Sequence, residues 1–184
     1  MPHQSVGPHD VLFYRCAFRP GIPAAQMPTG CRAELWRPKG TELVPPGLLN
    51  TRFLIWSIFH HLRAFSNRDY ALLLVRKNGK IVHRSCIFPR YLRFPFMAAG
   101  DIQVGDTWTS ADIRGRGLAL AGLVEIVRNM GRPGRCIWYL VEDGNAPSIA
   151  VATKAGFSLF GRGRRTMRFG IRLFGDFRLE KISP

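Results

Sequence analysis

Acidic side chains are scarce in this chain: 12 Asp and Glu stand against 27 Lys and Arg, giving a formal net charge of +15 and an isoelectric point near 11.0. Such a balance calls for an acidic partner, a solvated basic surface, or both, and carries no information on fold. Cysteine is sparse as well. Cys16, Cys31, Cys86 and Cys136 form no Cys-x-x-Cys pair, and no histidines cluster at zinc-ligand spacing, so no metal is expected and reduced thiols are the simplest state. No segment approaches the roughly 20 apolar residues of a membrane span, and residues 1–10 lack the apolar core of a signal peptide. We therefore expect a soluble, cytoplasmic protein without a transmembrane segment. Internal repeats, low-complexity tracts and any Ser-His-Asp or Cys-His arrangement at a readable spacing are also missing. The 184 residues suit a single domain, 1–184, able to bury a substantial core.

What the chain does contain is a glycine-rich turn between a strand and a helix. Residues 101–109 read as a strand, Arg114-Gly115-Arg116-Gly117-Leu118-Ala119 follows, and Leu120, Leu123, Val124 and Val127 then recur at helical spacing until Gly131 and Pro133. A helix N-terminus leaves amide groups unpaired at the positive end of the macrodipole, and glycines let a bulky anion approach the main chain. The two arginines add charge, so this turn is built to hold a phosphate.

Around it, 11–18 and 31–36 are candidate strands separated by a Pro- and Gly-bearing loop over 20–30, and 48–65 reads as a helix. Residues 70–75 and 80–88 flank Lys77-Asn78-Gly79, and Asn-Gly between apolar runs is a strong hairpin signal. Residues 90–100 read as a connection, 136–141 as a strand, and the tail as a helix followed by two strands. In these C-terminal strands Met167, Phe169, Ile171 and Leu173 alternate with Arg168 and Arg172. An α/β (α+β) fold with a mixed sheet and helices on both faces is the simplest packing of this order.

Arg114 to Ala119 resembles the Arg/Gln-x-x-Gly-x-Gly/Ala signature of the GNAT superfamily of N-acyltransferases. Asn145, Ser148, Lys154, Ala155, Gly156 and Phe157 are similar to that superfamily's Asn-x-x-Ser…Lys-x-Gly-Phe element, and the resemblance spans about 70–175, preceded by N-terminal strands and a helix over 11–65. It implies a mostly antiparallel sheet whose two parallel central strands, 103–109 and 136–141, splay apart to take an acyl-pantetheine arm. It further implies acetyl-coenzyme A or another acyl-coenzyme A as donor, a primary amine as acceptor, and direct attack in a ternary complex. The donor-binding residues it implies are Thr107, Trp108, Thr109, Arg114, Gly115, Arg116, Gly117, Leu118, Ala119, Asn145 and Ser148.

Many members carry an acidic tyrosine seven residues after the asparagine, where this chain has Ala152. Ser148, a water or Tyr139 could protonate the leaving sulfur instead, and Asp106 or Glu142, near the ends of the central strands, could take the amine proton. Each carboxylate could equally cap a turn or pair with an arginine. His60 and His61 lie in an apolar helix and suit a structural or substrate-wall role; Phe53, Trp56 and Phe59 of the same helix could line an acceptor pocket but suit the core better, as does Phe157. The acceptor is left open: the basic surface would suit an amino sugar or an anionic glycan precursor, equally an acidic acyl carrier protein as donor, and the chain could pair as a homodimer. The alternative from another class is a catalytically inactive GNAT-like binding module whose basic surface holds nucleic acid. Against it, the arginines are interleaved with strand positions rather than gathered with exposed aromatics.

Overall fold

The structure, a computed structural model, describes residues 10–48, 51–166 and 176–181. Its strands are β1 (Val11–Ala17), β2 (Cys31–Trp36), β3 (Ala71–Lys77), β4 (Lys80–Pro89), β5 (Ile102–Thr109), β6 (Cys136–Glu142), β7 (Ser158–Arg165) and β8 (Phe177–Lys181). Three α-helices, α1 (Thr51–His61), α2 (Leu118–Met130) and α3 (Ala146–Lys154), and a 3-10 turn, Ala111–Ile113, complete the described residues. The eight strands form one sheet in the order β2-β3-β4-β5-β6-β1-β7-β8, in which only β5 and β6 are parallel neighbours.

Local chemistry explains several elements. Asn78 and Gly79, with φ of 50° and 76°, form the two-residue turn that joins β3 to β4 and pairs Lys77 with Lys80. Period-2 alternation divides the core between the two faces of the sheet. Ala71 and Leu73 of β3 pack with Leu123, Ile126 and Val127 of α2, whereas Leu72 and Leu74 pack with Phe53 of α1. Helices therefore cover both faces, as the element order implied. Asp101, buried just ahead of β5, accepts hydrogen bonds from Ala98 N, Cys136 N and the Trp138 indole. It thereby ties the start of β5 to the start of β6.

Some expectations are corrected. The first helix is shorter than 48–65, because Arg63 adopts a left-handed φ of 58° that ends the helical path after His61. Strands β1 and β2 lie on opposite halves of the sheet, with the 20–30 loop carrying the chain across, and β1 is inserted antiparallel between β6 and β7. The alternation of Met167 to Leu173 with Arg168 and Arg172 lies outside the described residues, as do Leu49 and residues 1–9. Phe53 and Phe157 are core residues, and Trp56 packs against Phe59, Phe65, Phe88 and Tyr91. All four cysteines are free thiols, and no helix among the described residues is long and apolar enough to cross a membrane.

Candidate functional site

Strands β5 and β6 run side by side for three pairs, Ile102 with Ile137, Gln103 with Trp138 and Val104 with Tyr139, and then part. Beyond that point β5 stays with β4 through Gly105, Trp108 and Thr109, while β6 stays with β1 as far as Glu142. The edge of β5 that faces β6 is thus left without a strand partner over 105–109. A register shift between Arg84 and Cys86 and a left-handed φ of 46° at Asp106 mark the bend that opens this fork. Such a conformation is uncommon for a residue with a side chain and is sustained only where the surroundings hold it, here by the Arg84 guanidinium 3.1 Å from the Asp106 carboxylate.

At the fork lies a cavity of about 600 Å³. Its walls are Thr107, Trp108 and Thr109 of β5, Tyr139 of β6, Ile113, Arg114, Gly115, Gly117, Leu118 and Ala119 of the glycine turn, and Asn145, Pro147, Ser148, Val151 and Lys154 of the third helix and its cap. Gly115 and Gly117 have φ of 76° and 78°, and a Cβ on either would project into open space. Gly117 is the N-cap of α2 and offers no side-chain acceptor, and the first turn of α2 carries no acidic group. The leading amides of a 13-residue helix are therefore unpaired and face the cavity mouth with their positive dipole end. Arg114 Nε donates to the Thr109 carbonyl at 3.0 Å and holds the turn against the end of β5. Asn145 caps α3, its side-chain oxygen accepting from Ser148 N at 3.1 Å.

Sequence comparison is silent here: no protein-family model and no curated protein matches the chain. Solved structures do match. A GCN5-related N-acetyltransferase from Sphaerobacter thermophilus superposes with a TM-score of 0.57 at 24% identity, over 84% of this chain and 49% of that one. A tandem GNAT protein from the clavulanic acid biosynthesis pathway gives a TM-score of 0.56 at 16% identity, over 96% and 54%. A GNAT-family acetyltransferase from Colwellia psychrerythraea gives 0.54 at 15% identity, over 83% and 53%. The chain has the GNAT fold. It spans about half the length of these solved chains.

Within this GNAT fold, most of the residues singled out from the sequence converge on one cavity, but not all. Thr107, Trp108, Thr109, Arg114, Gly115, Gly117, Leu118, Ala119, Tyr139, Asn145 and Ser148 line it. Arg116 is exposed beside the turn and does not line it, nor does Glu142, which is exposed at the end of β6 with its carbonyl accepting from Asn145 N. Asp106 projects from the other face of β5. Its carboxylate meets Arg84 and the Cys86 thiol, whose neighbours are Phe53 and Tyr70 on the α1 side. The thiol of Cys86 is pushed up well above its ordinary value by burial, which keeps it neutral beside that carboxylate.

Tyr139 is only 4% exposed. Burial raises its pKa above the ordinary 10.0, while the hydroxyls of Thr107 and Ser148 facing it oppose part of that rise, so the phenol keeps its proton at neutral pH. Ala152 is 0% exposed and sits in the core among Tyr139, Phe157 and α2 rather than in the cavity. A tyrosine there would overpack the core, typically costing about 1–3 kcal/mol or more, which accounts for the small residue. His60 and His61 lie on α1 away from the cavity, and His61 Nδ1 lies 2.9 Å from the Ser57 carbonyl. No group of three or more potential metal ligands occurs among the described residues.

Two polar residues beside the cavity escaped the sequence reading. His83 and Ser85, both buried, occupy inward positions of β4, with Thr109 Oγ1 2.8 Å from His83 Nδ1 and Thr107 Oγ1 3.0 Å from Ser85 Oγ. The available signal was the polar run His83-Arg84-Ser85 between the apolar pairs Ile81-Val82 and Cys86-Ile87, in a strand whose hairpin placed it inside the sheet.

Proposed function

We propose that the chain is an N-acyltransferase that moves an acyl group from acetyl-coenzyme A, or a related acyl-coenzyme A, to a primary amine by direct attack in a ternary complex. The observation that carries this reading is the alignment of an uncapped helix N-terminus, a forked strand pair and a buried phenol along one cavity. The residues fit the donor. The amides of the glycine turn and of the start of α2, with Arg114 and Lys154, suit its diphosphate, and the apolar walls Ile113, Leu118 and Val151 suit the pantetheine arm. The unpartnered main-chain edge near Thr107 to Thr109 offers donors for a carbonyl oxygen. When bound, the thioester supplies an acyl group activated for transfer and a thiol as leaving group.

The chain's own groups then divide the proton traffic. Asp106, on the α1 face of β5, takes the proton that the attacking nitrogen sheds, and Arg84 keeps its carboxylate oriented. Tyr139, protonated and inside the fork, donates to the departing sulfur, with Ser148 beside it. The balance is one amine and one thioester converted to one amide and one thiol, and no covalent enzyme intermediate is required. Trp108 is 38% exposed, with the Arg84 guanidinium carbon 5.8 Å from its ring centroid; an exposed indole suits a sugar ring, and an amino sugar is the acceptor this favours.

The test is free-thiol release with acetyl-coenzyme A against a panel of amines that includes amino sugars, nucleotide-linked amino sugars and polyamines. Release dependent on both protein and amine is the expected result. No release with any amine, together with tight, sequence-selective nucleic-acid binding at physiological salt, would overturn the reading, because charge-driven binding alone weakens steeply with salt.

A further inference from the structure

On the α2 side of β4 and β5 lies a row of hydrogen-bonded polar groups, and the reaction above uses neither the His83 imidazole nor the Ser85 hydroxyl. His83 Nδ1 lies 2.8 Å from Thr109 Oγ1, and its Nε2 lies 3.3 Å from Ser85 Oγ. Ser85 Oγ lies 3.0 Å from Thr107 Oγ1, and Thr107 and Tyr139 line the same cavity from the two strands of the fork. His83 is 0% exposed, and it is seated against Gly122 of α2, where a Cβ would come within 2.8 Å of Nε2. A glycine in the middle of α2 costs helix stability relative to alanine, roughly 1 kcal/mol, and here it makes room for the imidazole.

We propose that His83 is a positioning residue that, through Ser85 and Thr107, turns the hydroxyl of Tyr139 toward the cavity. A neutral imidazole has one N–H and one acceptor nitrogen. With the proton on Nε2, His83 donates to Ser85, Ser85 donates to Thr107, and Thr107 donates to the phenol oxygen, so the Tyr139 proton is left free to point into the fork. Nδ1 then accepts from the Thr109 hydroxyl. With the other tautomer the line reverses, and the phenol spends its proton on Thr107. Burial of the ring lowers its pKa to about 4, so it stays neutral and keeps a direction to impose. Each member polarises the next, and a partly broken line is worse than none.

This inference rests on the acyltransferase reading for the use it gives the phenol, but the link itself can be measured without turnover. His83→Leu and Ser85→Ala are compared with the parent, using protein carrying 13C-labelled tyrosine rings and Tyr139→Phe to assign the signal. The Tyr139 Cζ resonance of the unliganded protein is expected to move in both variants. In thiol release, kcat is expected to fall about tenfold, short of the roughly 100- to 10,000-fold that general acid help supplies, while coenzyme A affinity by calorimetry is retained. His83→Gln, which keeps a donor and an acceptor, should recover part of kcat. Ser85→Ala, a small change, carries the test if His83→Leu does not fold. A parent-like kcat with an unmoved Tyr139 resonance in Ser85→Ala overturns the inference, as does a loss of activity accounted for by weaker coenzyme A binding. A parent protein that releases no thiol with any amine overturns the acyltransferase reading and the role given to the phenol, while the resonance still reports whether the line is connected.

Discussion

Gly117→Val is expected to abolish coenzyme A binding while leaving the protein folded. Two effects act together. Gly117 has φ of 78°, a left-handed conformation that costs an L-residue roughly 1–2 kcal/mol and a β-branched one more, so the turn is strained or rearranged. The new side chain also projects into open space in front of α2, which is the volume a diphosphate must occupy to reach the unpaired amides. We expect affinity to fall by at least ~100-fold, about 2.8 kcal/mol, with Gly117→Ala between the parent and the valine variant. Arg90→Ala is the control. Arg90 lines a separate hollow beside Phe65 and Tyr91 and should leave binding unchanged. Calorimetric titration of the three variants checks this, and parent-like binding by Gly117→Val would reduce the turn to an ordinary surface loop.

Tyr139→Phe should separate binding from chemistry. The ring stays in the core against Phe157, so folding and donor affinity are retained, but the only atom lost is the one placed in the fork. If the phenol protonates the leaving sulfur, kcat falls by roughly 100- to 10,000-fold, the usual value of general acid help. Asp106→Asn should also lower kcat with donor binding kept, for a different reason: it removes the proton acceptor on the opposite face of β5 and reduces the Arg84 ion pair to a neutral hydrogen bond. Steady-state rates at saturating donor decide between these groups, and full activity in Tyr139→Phe would return the acid to Ser148 or to water.

How much of this was legible in the sequence depends on whether a feature is local. The Asn78-Gly79 hairpin and the turn from Arg114 into α2 are decided by residues a few positions apart, and both stand where turn chemistry put them. Convergence of 107–109, 114, 115, 117–119, 145 and 148 on one cavity followed from the two motif blocks, and Arg116 alone of the turn lies outside it. The place of β1 did not follow, because alternation identifies a strand but not its neighbours. The side of a strand was equally hidden at the bend of β5. The irregular backbone at Asp106 sends its carboxylate to the α1 face and leaves Thr107 on the cavity side, whereas regular alternation from uncertain strand ends could not assign either. Charge was the least legible of all. Two of the few acids are paired at long range, Asp69 with Arg132 and Arg135 and Asp10 with Arg162 and Arg164, so these four arginines have partners supplied only by the tertiary fold.

The claim at the centre of this account is that the glycine turn and the start of α2 form the phosphate-holding end of an acyl-coenzyme A site. Calorimetric titration of the parent protein with acetyl-coenzyme A and, separately, with pantetheine lacking phosphate tests it most directly. The account predicts that acetyl-coenzyme A binds and that the phosphate-free arm binds far more weakly; equal affinity for the two would contradict it.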